Sequence, residues 1–434
     1  MRDARVWRVL LGVEKAVVEG LEFDEDEGLL IARVRPVASA RGRCGKCQRR
    51  CPGYDGGSGR RRWRTLDLGS VAAVLEAEAP RVFCREHGVV VASVPWARHN
   101  AGHTRAFDDQ TAWLAVTCSK TAVTQLMRIA WRTVGAVITR VSADIEARVD
   151  RLAELSRIGI DEISYKRGQR YLIVVVDHDA RRLIWAAPGR DKATLNRFFD
   201  QLGEDRAGRI THVSADGADW IAEVVAERAP NAVQCADAFH VVAWATDALD
   251  QVRRQAWNEA RAMARTEPRR GPGRQQLDTP PRPGHELTRA LKNARWALWK
   301  NPENLTDRQA DKLAWIAKND PRLHRAYLLK EGLRYVFAVK GEPGKQALDR
   351  WLSWARRSRI PAFITLARRI VKHRATIDAA LDHDLSNALI ESTNTKIRLL
   401  TRIAFGFHSP QALIALAMLS LGGYRPTLPG RSTT

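Results

Sequence analysis

The sequence predicts a multidomain α+β protein in which a Cys/His metal knuckle and a helix-turn-helix precede an α/β domain interrupted by a long all-α stretch. Three observations predict it. A C-x2-C pair at Cys44 and Cys47 is answered downstream by a C-x2-H pair at Cys84 and His87. Apolar residues then recur at helical spacing from Thr104 to beyond Arg140. From Ser156 the period shortens to two, alternates with helical runs, and gives way near residue 249 to a purely helical pattern.

A chain of 434 residues exceeds what one compact core accommodates, so about three domains are expected from length. Lys and Arg total 71 against 49 Asp and Glu, a net charge of +22 with a pI near 10.4. Such a surface attracts polyanions, nucleic acid above all. A membrane is the competing polyanion, but no apolar run reaches the roughly 18 residues of a span, and the longest, Ala412 to Gly423, reads as a buried helix. The N-terminus mixes charges through its apolar residues and carries no secretion pattern, so a cytoplasmic, nucleoid-associated protein is expected. In that reducing compartment six cysteines are not a disulfide framework.

Residues 1–98 form the expected zinc domain. Cys44, Cys47, Cys84 and His87 supply the four ligands of a closed tetrahedral site, with Cys51 a competitor for one position. Between the pairs, alternation predicts a β-hairpin carrying the second knuckle. Nine basic residues and one acid, Asp55, lie from Arg41 to Arg64, a composition suited to phosphate contacts.

Residues 99–152 form the expected helix-turn-helix. Three amphipathic segments follow one another, the third opening at a capping Thr133. A recognition helix from Val134 would bring Arg132, Thr139 and Arg140 to DNA.

Residues 153–248 read as a strand meander, then helix, strand, helix, strand. That is the element order of the ribonuclease-H-like fold. Asp161 lies within the first strand and Asp216 directly after the fourth, so their carboxylates would converge at one sheet edge, where a divalent cation relieves their repulsion. Glu162 should face the other way and read as surface. Asp237 and His240 at the end of the fifth strand either border this site or cap the next helix. The insertion, 249–380, begins with a basic Pro/Gly/Arg loop and continues as helices whose Trp296, Trp299, Trp315, Trp351 and Trp354 are expected in the core. Residues 381–425 return to the core and 426–434 form a tail.

From Leu385 to Thr434 the chain has one acidic side chain, Glu391. On a helix it shares a face with Asn394, Thr395 and Arg398.

Taken together, "CGKC…CREH", "GIDEIS", "SADGADW", "CADAFHVV" and "NALIESTNTKIRLLTRIAFGF" resemble the insertion-sequence transposases of the ISL-three family, members of the DDE group with a ribonuclease-H-like core. The resemblance covers nearly the whole chain and implies Asp161, Asp216 and Glu391 as catalytic carboxylates holding two magnesium or manganese ions. Asp237, His240 and Asn394 would border them, and Lys396 and Arg398 would meet phosphate. It implies one structural zinc ion, DNA ends and target as partners, and at least a dimer to pair two ends. The chain departs from many relatives in closing the zinc site with His87 rather than cysteine. A non-catalytic DNA-binding regulator and a structure-selective nuclease are the competing readings; the presence of all three carboxylates favours the enzyme.

Overall fold

The computed structural model describes residues 2–215, 218–267, 282–383, 385, 387–404, 406–407 and 409–431. The chain divides into two compact units, Met1–Arg151 with Arg182–Ile184 and Thr395–Thr434, and Leu152–Arg181 with Trp185–Asn394.

The first unit begins with α1 (Arg2–Leu10), β1 (Ala16–Asp24), β2 (Leu29–Pro36), β3 (Gly53–Asp55), β4 (Arg60–Arg64), β5 (Ala72–Glu78), β6 (Arg81–Cys84) and β7 (Gly88–Val91). These strands make a four-stranded sheet in the order β1-β2-β5-β4 and a three-stranded one in the order β3-β6-β7. The expected hairpin is β4–β5, with Cys84 carried by β6 in the neighbouring sheet. Alternation explains β4: Trp63 points inward and packs edge-to-face on Trp96 at 5.7 Å with Arg61 on its own face, while Arg60, Arg62 and Arg64 take the opposite face.

Those arginines make up four of the nine basic residues of the expected phosphate surface. Register places Arg62 opposite Glu76 and Arg60 opposite Glu78, and Arg60 and Arg62 both bond Glu76. Arg61 donates to the Ala101 carbonyl and Arg64 pairs with Asp67. Cross-strand pairing therefore offsets the charge of Arg60 and Arg62.

Three helices follow: α2 (Arg105–Thr117), α3 (Lys120–Met127) and α4 (Trp131–Glu146). Thr104 caps α2 by accepting the Phe107 N–H, and Ser119 caps α3 by accepting that of Ala122. Arg128, left-handed at φ 52°, ends α3. The third helix starts three residues before the expected Val134. Its N-cap is Ala130, without a side-chain bond, and Thr133 lies inside the first turn with its N–H on the Ala130 carbonyl. The sequence "WRT" is thus helix rather than turn, and Thr133 is not a cap.

The second unit contains β8 (Arg157–Lys166), β9 (Arg170–Asp177), most of β10 (Arg182–Pro188), α5 (Lys192–Leu202), α6 (Glu204–Ala207), β11 (His212–Ala215), α7 (Asp219–Arg228) and β12 (Val233–Ala236). The sheet order is β10-β9-β8-β11-β12. β8 and β9 pair antiparallel, whereas β11 runs parallel to both β8 and β12. The central strands are apolar on both faces, as a doubly covered sheet requires: Ile158, Ile160, Ile163 and the run Leu172–Val176 are buried.

Every later element among the described residues is helical: α8 (Ala238–Thr266), α9 (Pro283–Leu291), α10 (Arg295–Trp299), α11 (Asp307–Asn319), α12 (Pro321–Val339), α13 (Gly341–Arg357), α14 (Pro361–Lys372), α15 (Arg374–His383), α16 (Ala388–Ile403) and α17 (Pro410–Leu421). Helices α8 to α15 enclose a core that includes Leu249, Leu323, Leu333, Trp351 and Phe363. Trp351 is buried with its indole N–H on the Leu329 carbonyl, and Trp315 packs against the same core. Trp296, Trp299 and Trp354 are exposed, so the expectation of core tryptophans holds for only some of them. Most of the basic Pro/Gly/Arg stretch lies outside the described residues. Among those described, no helix is long and apolar enough to cross a membrane. In the first unit, α17 packs on α4 and α2.

Candidate functional site

Cys44, Cys47, Cys84 and His87 converge so that their ligand atoms all lie within 4.8 Å of one another. The individual separations are 3.8 Å from Cys44 Sγ to His87 Nδ1, 3.7 Å between the Sγ atoms of Cys47 and Cys84, and 3.6 Å from Cys84 Sγ to His87 Nδ1. A tetrahedral zinc with bonds of about 2.0–2.3 Å has edges of roughly this length, so the residues fit the ion. The hydrogen bond from His87 holds the Cys84 thiol down at about 6, within reach of the thiolate that zinc requires. Cys51 stands outside the cluster, its Sγ directed at the Arg49 carbonyl. Gly45 is needed for closure: a Cβ there would lie 2.4 Å from His99 Nδ1 and 2.6 Å from the Val91 carbonyl.

In the helix-turn-helix, Arg132 and Thr139 are exposed on α4. Arg140 is not free for a base. Its Nε and Nη2 bond the two oxygens of Asp108 at 2.8 and 2.9 Å, and Asp108 is fully buried. Arg98 at 3.6 Å and His103 at 3.7 Å complete the charge environment of Asp108. This network fixes α2 against α4.

In the second unit, Asp161 Oδ1 accepts the Glu162 N–H at 2.7 Å and Oδ2 accepts the Asn394 amide at 2.6 Å. Asn394 is 3% exposed and its Oδ1 has no partner among the described residues. Asn387, buried two turns earlier, has neither amide atom bonded among the described residues. Asn387, immediately before α16, and Glu391 and Asn394 within it fall at i, i+4 and i+7. That spacing was visible in the sequence, but Asn387 was not singled out. Orphaned buried oxygens beside a carboxylate suit a hard cation, which takes oxygen ligands from carboxylates and amides.

Glu391 is half-buried. Burial, and after it the neighbouring Asp237 carboxylate, pushes its carboxyl above the ordinary range, with His240 acting in the opposite sense. Asp237 is buried; it caps α8 through the Phe239 N–H and binds His240 Nδ1 at 2.6 Å. Asp216 lies outside the described residues. β11, which precedes it, ends with Ala215 paired to Ile160, the residue before Asp161. Glu162 faces away from Asp161 but is not the expected surface residue: its side chain is 11% exposed and pairs with Arg190, which lies over Tyr171. Lys396 and Arg398 are exposed.

Comparison with known proteins places three regions of the chain in one family. Residues 158–417 match the DDE domain of the ISL3 type described as transposase, residues 92–142 the helix-turn-helix domain of transposase family ISL3, and residues 40–87 the zinc-finger of transposase IS204/IS1001/IS1096/IS1165. The chain belongs to the ISL3 family of transposases. It is 69% identical over 436 residues to the transposase for insertion sequence element IS1557 of Mycobacterium tuberculosis, covering 99% of this chain and 98% of that protein. It is 26% identical over 415 residues to the transposase for insertion sequence element IS1001 of Bordetella parapertussis, covering 95% and 96%.

Proposed function

We propose that this transposase binds the terminal inverted repeats of its insertion sequence and cuts and joins DNA at a centre formed by Asp161, Asp216 and Glu391. These residues sit in a ribonuclease-H-like core that the helical segment 249–380 interrupts. The observation that carries the reading is the 2.6 Å bond from Asn394 to Asp161, which ties the helix bearing Glu391 to the strand bearing the first carboxylate. The parallel pairing of β8 with β11 supports it further, because each strand is followed or continued in sequence by one of the two aspartates.

The three carboxylates and the Asn394 amide oxygen are the donors for two magnesium or manganese ions. Such ions, when bound, activate water or a 3′-hydroxyl and offset charge on the leaving 3′ oxygen. Asn394 orients Asp161 for this task, and the Asp237–His240 pair sets the electrostatics around Glu391. The zinc domain and the exposed Arg132 and Thr139 contribute to end recognition, with Lys396 and Arg398 on phosphate. Two ends must be brought together, so the working form is at least a dimer, in the cytoplasm with the nucleoid.

The test is nicking and joining of a labelled end. Glu391→Gln should abolish both by at least about a thousandfold while end affinity is retained. An active Glu391→Gln protein would refute the assignment, and equal cutting of cognate and scrambled ends would indicate a nuclease instead.

A further inference from the structure

From Arg350 to Ile377 the chain carries eight Lys or Arg and no Asp or Glu. This stretch spans the second half of α13, the whole of α14 and the start of α15. Elsewhere in the helical insertion arginines are matched by acids: Arg322 pairs with Glu259, Arg334 with Glu303 and Arg254 with Asp250. By contrast, Arg350, Arg356, Arg359 and Arg368 are exposed and make no ion pair among the described residues. A cation in the last turn of a helix is favoured by the C-terminal dipole, which accounts for Arg356 and Arg357 at the end of α13. It does not account for Arg350 or Arg368, which precede the last turns of α13 and α14.

The helices shape this charge. Between α13 and the α14–α15 junction lies an open groove of about 520 Å³, lined by Leu352, Ser353, Arg356, Arg357, Val371 and Arg374. Asp349, the one acid of its lining, is taken up by Arg374. Arg350 shares a face of α13 with Ser353 and Arg357, and Arg368 shares a face of α14 with Val371 and Lys372, so both arginines flank the groove. Lys372 reaches Asp219, the first residue of α7, at 3.4 Å. Both partners are exposed, and such a pair is readily exchanged for a phosphate. Asp219 follows Asp216 by three residues, so the basic surface extends toward the sheet edge of the proposed carboxylates.

We propose that α13 and α14 form a track for the phosphate backbone of target DNA, held without reading its sequence. The composition favours that occupant. Guanidinium groups and a serine hydroxyl suit phosphates, and from Arg350 to Ile377 there is no Asn or Gln of the kind that reads adenine. Neither helix stands alone to enter a groove of the duplex, since α13 packs on α12 and α14 on α8. A transposon end must be read, whereas a target has only to be held beside the carboxylates. The proposal rests on the reading of Asp161, Asp216 and Glu391 as the cutting and joining centre, which makes this edge the destination of a target strand.

The experiment measures binding of the full-length protein to a random-sequence duplex and to a cognate end of equal length, with calcium replacing magnesium so that no strand is cut. Arg350→Glu with Arg368→Glu should weaken the random duplex at least about tenfold and lower its salt slope by about two, so that preference for the end rises. In magnesium, joining of a pre-cut end to a plasmid should fall at least about tenfold further than nicking of an intact end. Arg308→Glu with Lys318→Glu makes the same charge change at exposed positions of α11 and should keep random-duplex affinity within about twofold. Undiminished affinity in the α13–α14 pair overturns the track. So does an equal loss in the α11 pair, which would make net charge the cause, or an equal loss for the cognate end, which would make the end the occupant. If the Glu pair melts early, Arg350→Gln with Arg368→Gln decides by the same criteria. Glu391→Gln separates the two readings: it should still distinguish the duplexes but join neither, and if it joins, the catalytic assignment falls while the affinities continue to decide the track.

Discussion

Asn394 donates its side-chain amide to Asp161 Oδ2 at 2.6 Å across 233 residues of sequence. The donor lies on the same stripe of α16 as Glu391, one turn further on, and its own oxygen is buried without a partner among the described residues. One end of the amide therefore fixes a carboxylate, and under the proposed function the other is a candidate oxygen ligand for a cation.

The substitution Asn394→Ala should remove that fixation. A hydrogen bond to a charged group is worth about 1.5–3 kcal/mol, so nicking should fall roughly ten- to a hundredfold, with more magnesium needed for half-maximal rate. Asn394→Asp should behave differently. It places a second carboxylate against Asp161, lowers the melting temperature of the metal-free protein, and makes stabilisation by added magnesium or manganese larger than in wild type. Thermal melts with and without the ion check this, and identical ion dependence in all three proteins would contradict the arrangement.

What could be read in the sequence is what local periodicity and short spacing encode. The β8–β10 meander, the α5–β12 alternation and the Cys/His cluster all follow from patterns within a few tens of residues. What escaped depends on partners far away in sequence. Arg140 looks like a base-reading side chain until Asp108, 32 residues earlier, is seen to hold it. Glu162 looks exposed until Arg190 is placed beside it. The arginines of β4 look free until β5 lays Glu76 and Glu78 opposite them. The start of α4 was misread for a local reason: Ala130 is a poor cap, so the true boundary carries no chemical mark.

The zinc site gives a second prediction. Cys44→Ser or a strong chelator should remove the metal and lower specific end affinity at least about tenfold, because the knuckle and its flanking strands lose their cross-link. The second unit has its own apolar core and should keep its helical signal and its melting transition. His87→Cys should keep zinc, since a four-thiolate set closes the same tetrahedron. Metal content by mass spectrometry, paired with an end-binding isotherm, checks all three; a zinc-free His87→Cys protein would argue against this ligand set.

Arg140 and Arg132 provide a contrast on one helix. Removing Arg140 leaves the fully buried Asp108 carboxylate without its bidentate partner, a change that costs about 3–5 kcal/mol in comparable buried pairs. Arg140→Ala should therefore melt at lower temperature even without DNA. Arg132→Ala, at an exposed position, should leave the melt unchanged, weaken end binding by about 1–3 kcal/mol if it reads a base, or reduce the salt slope by about one if it meets a phosphate. A normal melt for Arg140→Ala would break the structural interpretation.

Lys120 makes the last prediction, one of pH. It is the first residue of α3, 5% exposed, with its Nζ 3.8 Å from the centre of the Phe407 ring and 4.8 Å from that of Trp131. Burial pushes the ammonium down to about 8, and a cation at a helix N-terminus is unfavourable as well. The two aromatic faces oppose this by stabilising the charge. In the unfolded chain the group titrates near 10.4. Below about 8 both states are charged and the folded state bears the whole cost. Between about 8 and roughly 10.4 the unfolded state holds the extra proton, so stability should rise with pH across that window. Lys120→Met keeps the apolar stem and deletes the charge. It should be more stable near neutral pH by about 1–2 kcal/mol after discounting the aromatic contacts and solvent screening, a few degrees in melting temperature. The gap should close as the buffer approaches about pH 10.5. If Lys120→Met is instead the less stable protein at neutral pH, the aromatic faces outweigh burial and the ammonium is held charged by design of the site.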